Sequence, residues 1–182
     1  MKIFLSGGCK NGKSAYAEEL AVALSKQHHV PLYYLATMKP VDDEDYARIE
    51  KHRESRKDSG FTTIEVNRNI HMLPPHTDSN GSYLLDSATA LLVNEMFLPD
   101  GSTNLHAGDL VAGHIEALLS THPNMVIVSD YLYSDAIEYD DFTDAYRREL
   151  ATIDKACAKL CDVVIEVSFS NLIVYKGKDL LL

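Results

Sequence analysis

The stretch FLSGGCKNGKSAYAEEL, residues 4–20, decides the fold of this 182-residue chain. An apolar run comes first, two glycines and a polar bend follow, and a segment with helical character comes last. The stretch fits the phosphate-binding pattern G-x-x-x-x-G-K-[ST] at Gly7, Gly12, Lys13 and Ser14. Glycines let the backbone wind tightly enough for successive N–H groups to point at phosphate oxygens, and the following helix adds its positive N-terminal end.

This loop, a P-loop, predicts a bound nucleoside triphosphate. Lys13 would reach the β and γ phosphates, and the Ser14 hydroxyl would bind Mg²⁺. Four fixed positions recur by chance in roughly one chain of this size in a hundred, before a strand and a helix are also required. The motif therefore favours a triphosphate strongly, but it does not define the reaction.

The rest of the chain alternates short apolar runs with helical patterns. The apolar runs predict strands at 2–6, 30–36, 61–66, 82–86, 125–129 and 163–168. The helical patterns lie at 13–26, 43–57, 88–97, 107–121 and 140–160. Such alternation is typical of an α/β, P-loop NTPase-like fold, with a mainly parallel sheet and helices on both faces. We expect residues 1–182 to form a single domain, because turn-rich segments at 67–81 and 99–104 are short enough to be loops within it.

Composition excludes several classes of protein. The formal net charge of −10 argues against binding to nucleic acid or to an anionic membrane, both of which need a basic face. The initial apolar run stops at Ser6-Gly7-Gly8, short of a signal peptide, so we expect a cytoplasmic protein without membrane spans.

Cys157 and Cys161 are four residues apart in a predicted helix. A metal site made by the two thiols is conceivable, but small buried core residues are the simpler interpretation.

A P-loop enzyme also needs a carboxylate near its metal ion, usually at the end of a neighbouring strand. Asp86 ends the apolar run 83–85 and is the candidate. We predict that Asp86 binds Mg²⁺ together with Ser14, directly or through water.

The segment DDEDYARIEKHRESRKD, residues 42–58, supports two hypotheses. On a helix, a polar stripe runs along one side, and Tyr46 and Ile49 are nearly the only residues that favour a core. One interpretation is a solvated surface helix with ion pairs between neighbouring turns. The other is catalytic, because a neutral His52 imidazole can attack phosphorus while Arg53 and Arg56 steady the phosphate oxygens.

Beyond these patterns, the chain resembles the bifunctional adenosylcobinamide kinase / adenosylcobinamide-phosphate guanylyltransferase family. The resemblance rests on the GGxxxGKS loop, the strand end Tyr34-Leu35-Ala36-Thr37, and the helix motif R-I-x-x-H at 48–52. It continues through Leu84-Leu85-Asp86 and Asn94, and more weakly to Lys176. It implies two reactions: phosphorylation of adenosylcobinamide by a nucleoside triphosphate, GTP or ATP, and transfer of GMP from GTP to the resulting phosphate.

The same resemblance implies roles for individual residues. His52 matches the family's guanylylated histidine and is, with Lys13, the expected catalytic residue. The triphosphate would be held by Gly7, Gly8, Cys9, Lys10, Asn11, Gly12, Lys13 and Ser14. The guanine nucleotide would lie along Thr37, Met38, Arg53, Arg56 and Glu65, and Asp86 takes the place of a family Glu. The family assembles as trimers, so a homotrimer acting on a corrinoid substrate is implied.

Two segments depart from the family pattern. Where the family carries Asn-Glu-Val-Gly, this chain has Asp130-Tyr131-Leu132-Tyr133, and the Asn-Gln pair of the last long helix is replaced by Asp154-Lys155. By the resemblance, we expect these departures to leave the triphosphate site intact and to affect the acceptor site and one of the two activities. Two alternatives to the bifunctional enzyme therefore stand: a P-loop small-molecule kinase without nucleotidyl transfer, and a non-catalytic nucleotide-binding regulator.

Overall fold

The computed structural model describes residues 1–133 and 135–181, and for Arg48, Lys51, His52 and Ser55 it describes only the backbone. Seven strands form one sheet: β1 (Lys2–Gly7), β2 (Leu32–Ala36), β3 (Thr62–Glu65), β4 (Ser82–Asp86), β5 (Asn124–Asp130), β6 (Val163–Ser168) and β7 (Asn171–Lys176). Their order in the sheet is β3-β2-β4-β5-β1-β6-β7. All neighbouring pairs are parallel except the β6–β7 pair, so the predicted mainly parallel sheet is confirmed.

Five α-helices connect the strands: α1 (Lys13–His28), α2 (Asp43–Ser55), α3 (Ala88–Met96), α4 (Ala107–Thr121) and α5 (Asp141–Leu160). Helix α1 packs on one face of the sheet through Ala17, Ala21 and Leu24, which recur at the spacing of one helix face. Helices α3, α4 and α5 cover the opposite face and bury a second cluster of apolar side chains. Helices therefore lie on both faces of the sheet, as predicted.

The strand missing from the predicted set is β7. It returns antiparallel to β6 through a tight turn at Phe169 and Ser170, whose φ angles are 50° and 60°. Tight hairpin turns of this kind usually contain Asn or Gly, because those residues adopt positive φ at low cost. Phe-Ser does not carry that signal, so the sequence does not predict a hairpin or a strand after it.

The burial of individual side chains tests two further expectations, for the cysteine pair and for Tyr46. Cys157 and Cys161 are both buried in the apolar core and are free thiols, which confirms the simpler interpretation. Tyr46, expected to favour a core, is instead 61% exposed. Within residues 1–133 and 135–181, none of the helices has both the length and the apolar character needed to cross a bilayer.

Candidate functional site

The P-loop lies at the carboxyl end of β1, where the parallel strands of such sheets place their ligands. Gly7 is packed so closely that a Cβ atom there would lie 2.3 Å from the Val167 carbonyl oxygen. Gly12, with φ 87°, is the N-cap of α1, and as a glycine it has no side chain that could cap the helix. The first N–H groups of α1 are therefore available to an anion, and the helix dipole favours negative charge there.

The Lys13 ammonium is held by two groups at this end of the sheet. Its Nζ donates to the Gly8 carbonyl oxygen at 3.1 Å and to Asp130 Oδ1 at 2.6 Å. Asp130 ends β5, the strand next to β1, and pairs with Gly7 in the sheet register. A triphosphate that binds the loop must compete with this carboxylate for Lys13.

Ser14 and Asp86 line the same cavity, as the sequence prediction requires. Asp86 ends β4, which is separated from β1 by β5 alone. One of its carboxylate oxygens accepts a 2.8 Å hydrogen bond from the Tyr34 hydroxyl. Burial and the neighbouring Asp86 carboxylate raise the pKa of Tyr34, which keeps that hydroxyl a donor. A serine hydroxyl and a carboxylate are ligands that Mg²⁺ prefers, so this pair fits the metal of a triphosphate complex.

Arg56, the residue at the C-terminal end of α2, is a buried cation in the cavity wall. It is only 6% exposed, and its guanidinium carbon lies 3.6 Å from the centroid of the Tyr34 ring. Glu18 approaches its Nη1 at 3.5 Å, but Nε and Nη1 make no hydrogen bond to any residue that the structure describes. Burial raises the pKa of Glu18, and the nearby Arg56 guanidinium offsets part of that rise. A buried guanidinium with unused donors is suited to an anionic ligand.

The described side chains of α2 are mostly exposed, as the surface-helix interpretation expects, and part of the helix also borders the cavity. Ile49 and Arg53 line the cavity, and Arg53 forms an ion pair with Glu65 at the end of β3. Arg53 also approaches Glu50 at 3.9 Å, an exposed pair of the kind expected for a surface helix. The His52 side chain lies outside the described part of the structure. The prediction that His52 is catalytic therefore rests on sequence.

Among the other predicted nucleotide-binding residues, Met38 and Glu65 line the cavity, whereas Thr37 does not line it. Thr37 is fully buried. Its hydroxyl donates to the Ser87 carbonyl oxygen and accepts from the Ser87 N–H, and its own carbonyl oxygen accepts from Asn94. This arrangement ties β2 to the start of α3, so Thr37 supports the cavity wall through Ser87.

The cavity has a volume of about 880 Å³. It opens along the carboxyl ends of β2, β3, β4 and β5, where Ala36, Glu65, Asp86 and Asp130 line it. Its lining also includes apolar side chains, among them Val41, Val93 and Phe97. The volume is at the upper end of the range for small-molecule sites, and the mixture of charged and apolar walls suits a large ligand or two ligands together.

Near Asp130, the structure buries the carboxyl of Asp154, one of the positions that depart from the family pattern. Asp154 on α5 is 4% exposed and accepts a 2.8 Å hydrogen bond from the Tyr133 hydroxyl. Burial raises its pKa to about 6, and the hydroxyls of Ser129 and Tyr133 offset that rise only in part. Its Oδ1 has no hydrogen-bond partner among the described residues.

Comparison with known protein families matches residues 3–170 to the model described as "Cobinamide kinase / cobinamide phosphate guanyltransferase". The chain is 33% identical over 97 residues to the bifunctional adenosylcobalamin biosynthesis protein CobU of Escherichia coli K12, a match that covers 53% of this chain and 51% of that protein. It is 29% identical over 113 residues to the CobU protein of Salmonella typhimurium LT2, covering 62% of this chain and 59% of the relative. These matches thus span about half of the curated relatives' length.

Solved structures with low sequence identity share the fold. The flagellar accessory protein FlaH from Methanocaldococcus jannaschii has a TM-score of 0.53 at 13% identity, over 96% of this chain and 77% of that one. The KaiC-like protein PH0186 from Pyrococcus horikoshii has a TM-score of 0.50 at 10% identity, over 98% and 79%. These likenesses concern the arrangement of strands and helices alone.

Proposed function

Since the chain belongs to the cobinamide kinase / cobinamide phosphate guanyltransferase family, we propose that it is a bifunctional enzyme of cobalamin biosynthesis. In the first reaction it transfers the γ-phosphate of GTP or ATP to the hydroxyl of adenosylcobinamide. In the second it transfers GMP from GTP to that phosphate and releases pyrophosphate. The sequence resemblance and the family match support both reactions.

The observation that carries the proposal is that four groups suited to phosphates or their metal lie at one end of the sheet, beside the cavity that Ser14, Arg56, Asp86 and Asp130 line. The uncapped N-terminus of α1, the Lys13 ammonium, the Ser14–Asp86 pair and the buried Arg56 guanidinium all lie at or near the carboxyl ends of the parallel strands. In the kinase reaction, Lys13 and the α1 N–H groups hold the β and γ phosphates. When bound, Mg²⁺ would neutralise charge on the phosphate oxygens, with Ser14 and Asp86 as its protein ligands.

In the guanylyl transfer, we assign His52 as the nucleophile. Position 52 belongs to α2, three residues after Ile49 and four before Arg56, both of which line the cavity. A neutral imidazole nitrogen bonds to the α-phosphorus of GTP, and the bond to the β-phosphate oxygen breaks, so that pyrophosphate leaves. The phosphate of the acceptor then displaces the histidine, which returns to its free form. Arg56 and Arg53 would neutralise the phosphate oxygens during both displacements.

The experiment that tests the proposal combines purified protein, Mg²⁺, adenosylcobinamide and GTP, followed by mass spectrometry of the corrinoid. The proposal predicts two products in sequence, the phosphorylated corrinoid and the GDP-linked corrinoid, with pyrophosphate released in the second step. Parallel reactions with ATP alone identify the nucleotide of the first step. Absence of both products would contradict the proposal.

The second candidate function is a kinase that lacks guanylyl transfer. It is favoured by Asp130-Tyr131-Leu132-Tyr133 and by Asp154, which depart from the family pattern near the P-loop end of the cavity. Phosphorylated corrinoid without the GDP-linked product or pyrophosphate would select it. Tight GTP binding without turnover would instead select a nucleotide-dependent regulator. We also propose a homotrimer, which sedimentation equilibrium of the purified protein tests.

A further inference from the structure

The phosphorylation of a hydroxyl requires a group that takes the hydroxyl proton, and the cavity offers few candidates. Of the described residues that line it, four carry carboxylates: Asp45, Glu65, Asp86 and Asp130. Asp45 accepts from the backbone N–H of Val41 at the start of α2, and Glu65 is paired with Arg53. These two therefore belong to the α2 side of the cavity, away from the contacts that hold Lys13.

The remaining two carboxylates end β4 and β5, on the same side of the P-loop strand, and their surroundings differ. Asp86 accepts from the Tyr34 hydroxyl and, with Ser14, forms the pair suited to a metal ion. Asp130 is hydrogen-bonded to Lys13 at 2.6 Å, and 30% of its side chain is exposed. Since Lys13 must lie against the β and γ phosphates of a bound triphosphate, its carboxylate partner lies beside the phosphoryl group that is transferred.

The backbone around Asp130 is fixed on both sides. The Asp130 N–H donates to the Thr89 hydroxyl at 2.8 Å, and the Tyr131 N–H donates to the Gly7 carbonyl oxygen at 3.0 Å. These bonds hold the end of β5 to α3 and to the P-loop strand. A carboxylate on such a rigid support keeps its position when Lys13 turns to the phosphates, which suits a group that must meet a reacting atom.

We propose that Asp130 is the catalytic base of the kinase reaction, acting on the hydroxyl of the acceptor. This inference rests on the proposed kinase function. When the triphosphate binds, Lys13 moves its contacts to phosphate oxygens, and Asp130 becomes free to accept a proton. The hydroxyl oxygen bonds to the γ-phosphorus as its proton passes to Asp130. The bond from the γ-phosphorus to the bridging oxygen breaks, and its electron pair leaves with the nucleoside diphosphate. Asp130 then returns the proton to solvent.

The proposal predicts a specific pattern for Asp130→Asn, which keeps the size of the side chain and an acceptor for Lys13 but cannot take up a proton. The kinase kcat with adenosylcobinamide should fall roughly 10²- to 10⁴-fold, the usual contribution of a positioned base. The Kd for the triphosphate should stay the same or decrease, because a negative charge that competes for Lys13 has been removed. Guanylylation of the protein by GTP, which uses His52, should be unchanged.

Asp130→Ala, the second variant, provides a test by chemical rescue. Added formate should restore part of its kinase rate, since a small carboxylate can enter the space left by the side chain, and formate should not restore Asp130→Asn. Asp135→Asn is the matched control, because Asp135 pairs with Arg147 on the surface just beyond the same strand. Its kinase rate should equal that of the unaltered protein.

The outcomes separate the two proposals. If the unaltered protein phosphorylates adenosylcobinamide and Asp130→Asn does so at a comparable rate, Asp130 is not the base and the proposed kinase function stands. If Asp130→Asn loses triphosphate binding in proportion to activity, Asp130 only positions Lys13, and the inference is overturned. If the unaltered protein forms no phosphorylated corrinoid at all, the proposed kinase function itself fails, and the base assignment fails with it.

Discussion

Replacing Asp154 with asparagine should stabilise the protein at neutral pH and do so much less in acid. The Asp154 carboxyl is 4% exposed, and burial raises its pKa from the ordinary value of 3.8 to about 6. Because the folded-state pKa is above the unfolded one, the native state holds this proton more tightly. The cost of ionising the buried group is absent well below pH 4, develops as the pH rises from about 4 to about 6, and is constant above that range.

The magnitude follows from the difference between the two pKa values. Each pKa unit corresponds to about 1.4 kcal/mol, so the ionised carboxylate costs the folded state about 3 kcal/mol at pH 7.5 and about 1 kcal/mol at pH 4.5. Asparagine keeps an oxygen that can accept from Tyr133, and its amide adds a pH-independent cost if it finds no partner. The change in stabilisation between the two pH values is therefore the diagnostic quantity, about 2 kcal/mol.

The assay is urea unfolding followed by far-UV circular dichroism at pH 4.5 and pH 7.5 for the unaltered protein and Asp154→Asn. Asp58→Asn, which removes an exposed carboxyl on the surface, is the control and should show no comparable pH dependence. If the free energy of unfolding changes by the same amount at both pH values in Asp154→Asn, burial does not raise the pKa of Asp154 as described. A larger stabilisation at pH 4.5 than at pH 7.5 would contradict the direction given for the pKa shift of Asp154.

Two further predictions concern the loop and the buried cation. Gly7→Ala should lower the free energy of unfolding by at least about 2 kcal/mol, because its Cβ would lie 2.3 Å from the Val167 carbonyl oxygen; thermal unfolding should show a Tm lower by about 4–8 °C. Gly113→Ala, on an exposed face of α4 with no atom within 4 Å of the new Cβ, is the control and should stabilise the protein by about 0.5–1 kcal/mol. Arg56→Lys should raise the Kd for GTP about tenfold, or about 1.4 kcal/mol, because an ammonium cannot reproduce the stacked, many-donor guanidinium. The Kd is measured by calorimetric titration, with Arg148→Lys at an exposed position as the control, whose Kd should not change. If the Kd of Arg56→Lys is also unchanged, Arg56 does not bind the nucleotide.

Much of the fold was predictable from the sequence because its signals are local. The apolar runs, the helix periods and the glycine loop each occupy a few consecutive residues, and the observed elements follow them closely. Strand β7 was missed for a local reason as well, since the Phe169-Ser170 turn reaches positive φ without the residues that usually mark it. Asp86 could be predicted to lie at the same end of the sheet as the P-loop because strand ends in a parallel sheet meet at one edge.

The pairings within the site were not predictable, because they join residues far apart in sequence. Asp130 contacts Lys13 across 117 positions. The burial of Arg56 depends on Tyr34 and Glu18, and nothing in the polar pattern of α2 signals it. Asp154 occupies an ordinary polar position on α5 until Tyr133 and the sheet cover it. Long-range packing decides which polar side chains are buried, and a single sequence carries little information about it.

The most direct test of the central claim is to locate the covalent bond between GMP and the protein. After incubation with Mg²⁺ and GTP labelled at the α-phosphate, the account predicts acid-labile label on the peptide that contains His52, and no label on Lys13→Ala, which cannot hold the triphosphate, or on His52→Ala. Label that persists in His52→Ala, or that resides on a peptide outside α2, would contradict the claim that the P-loop and this helix act on one nucleotide.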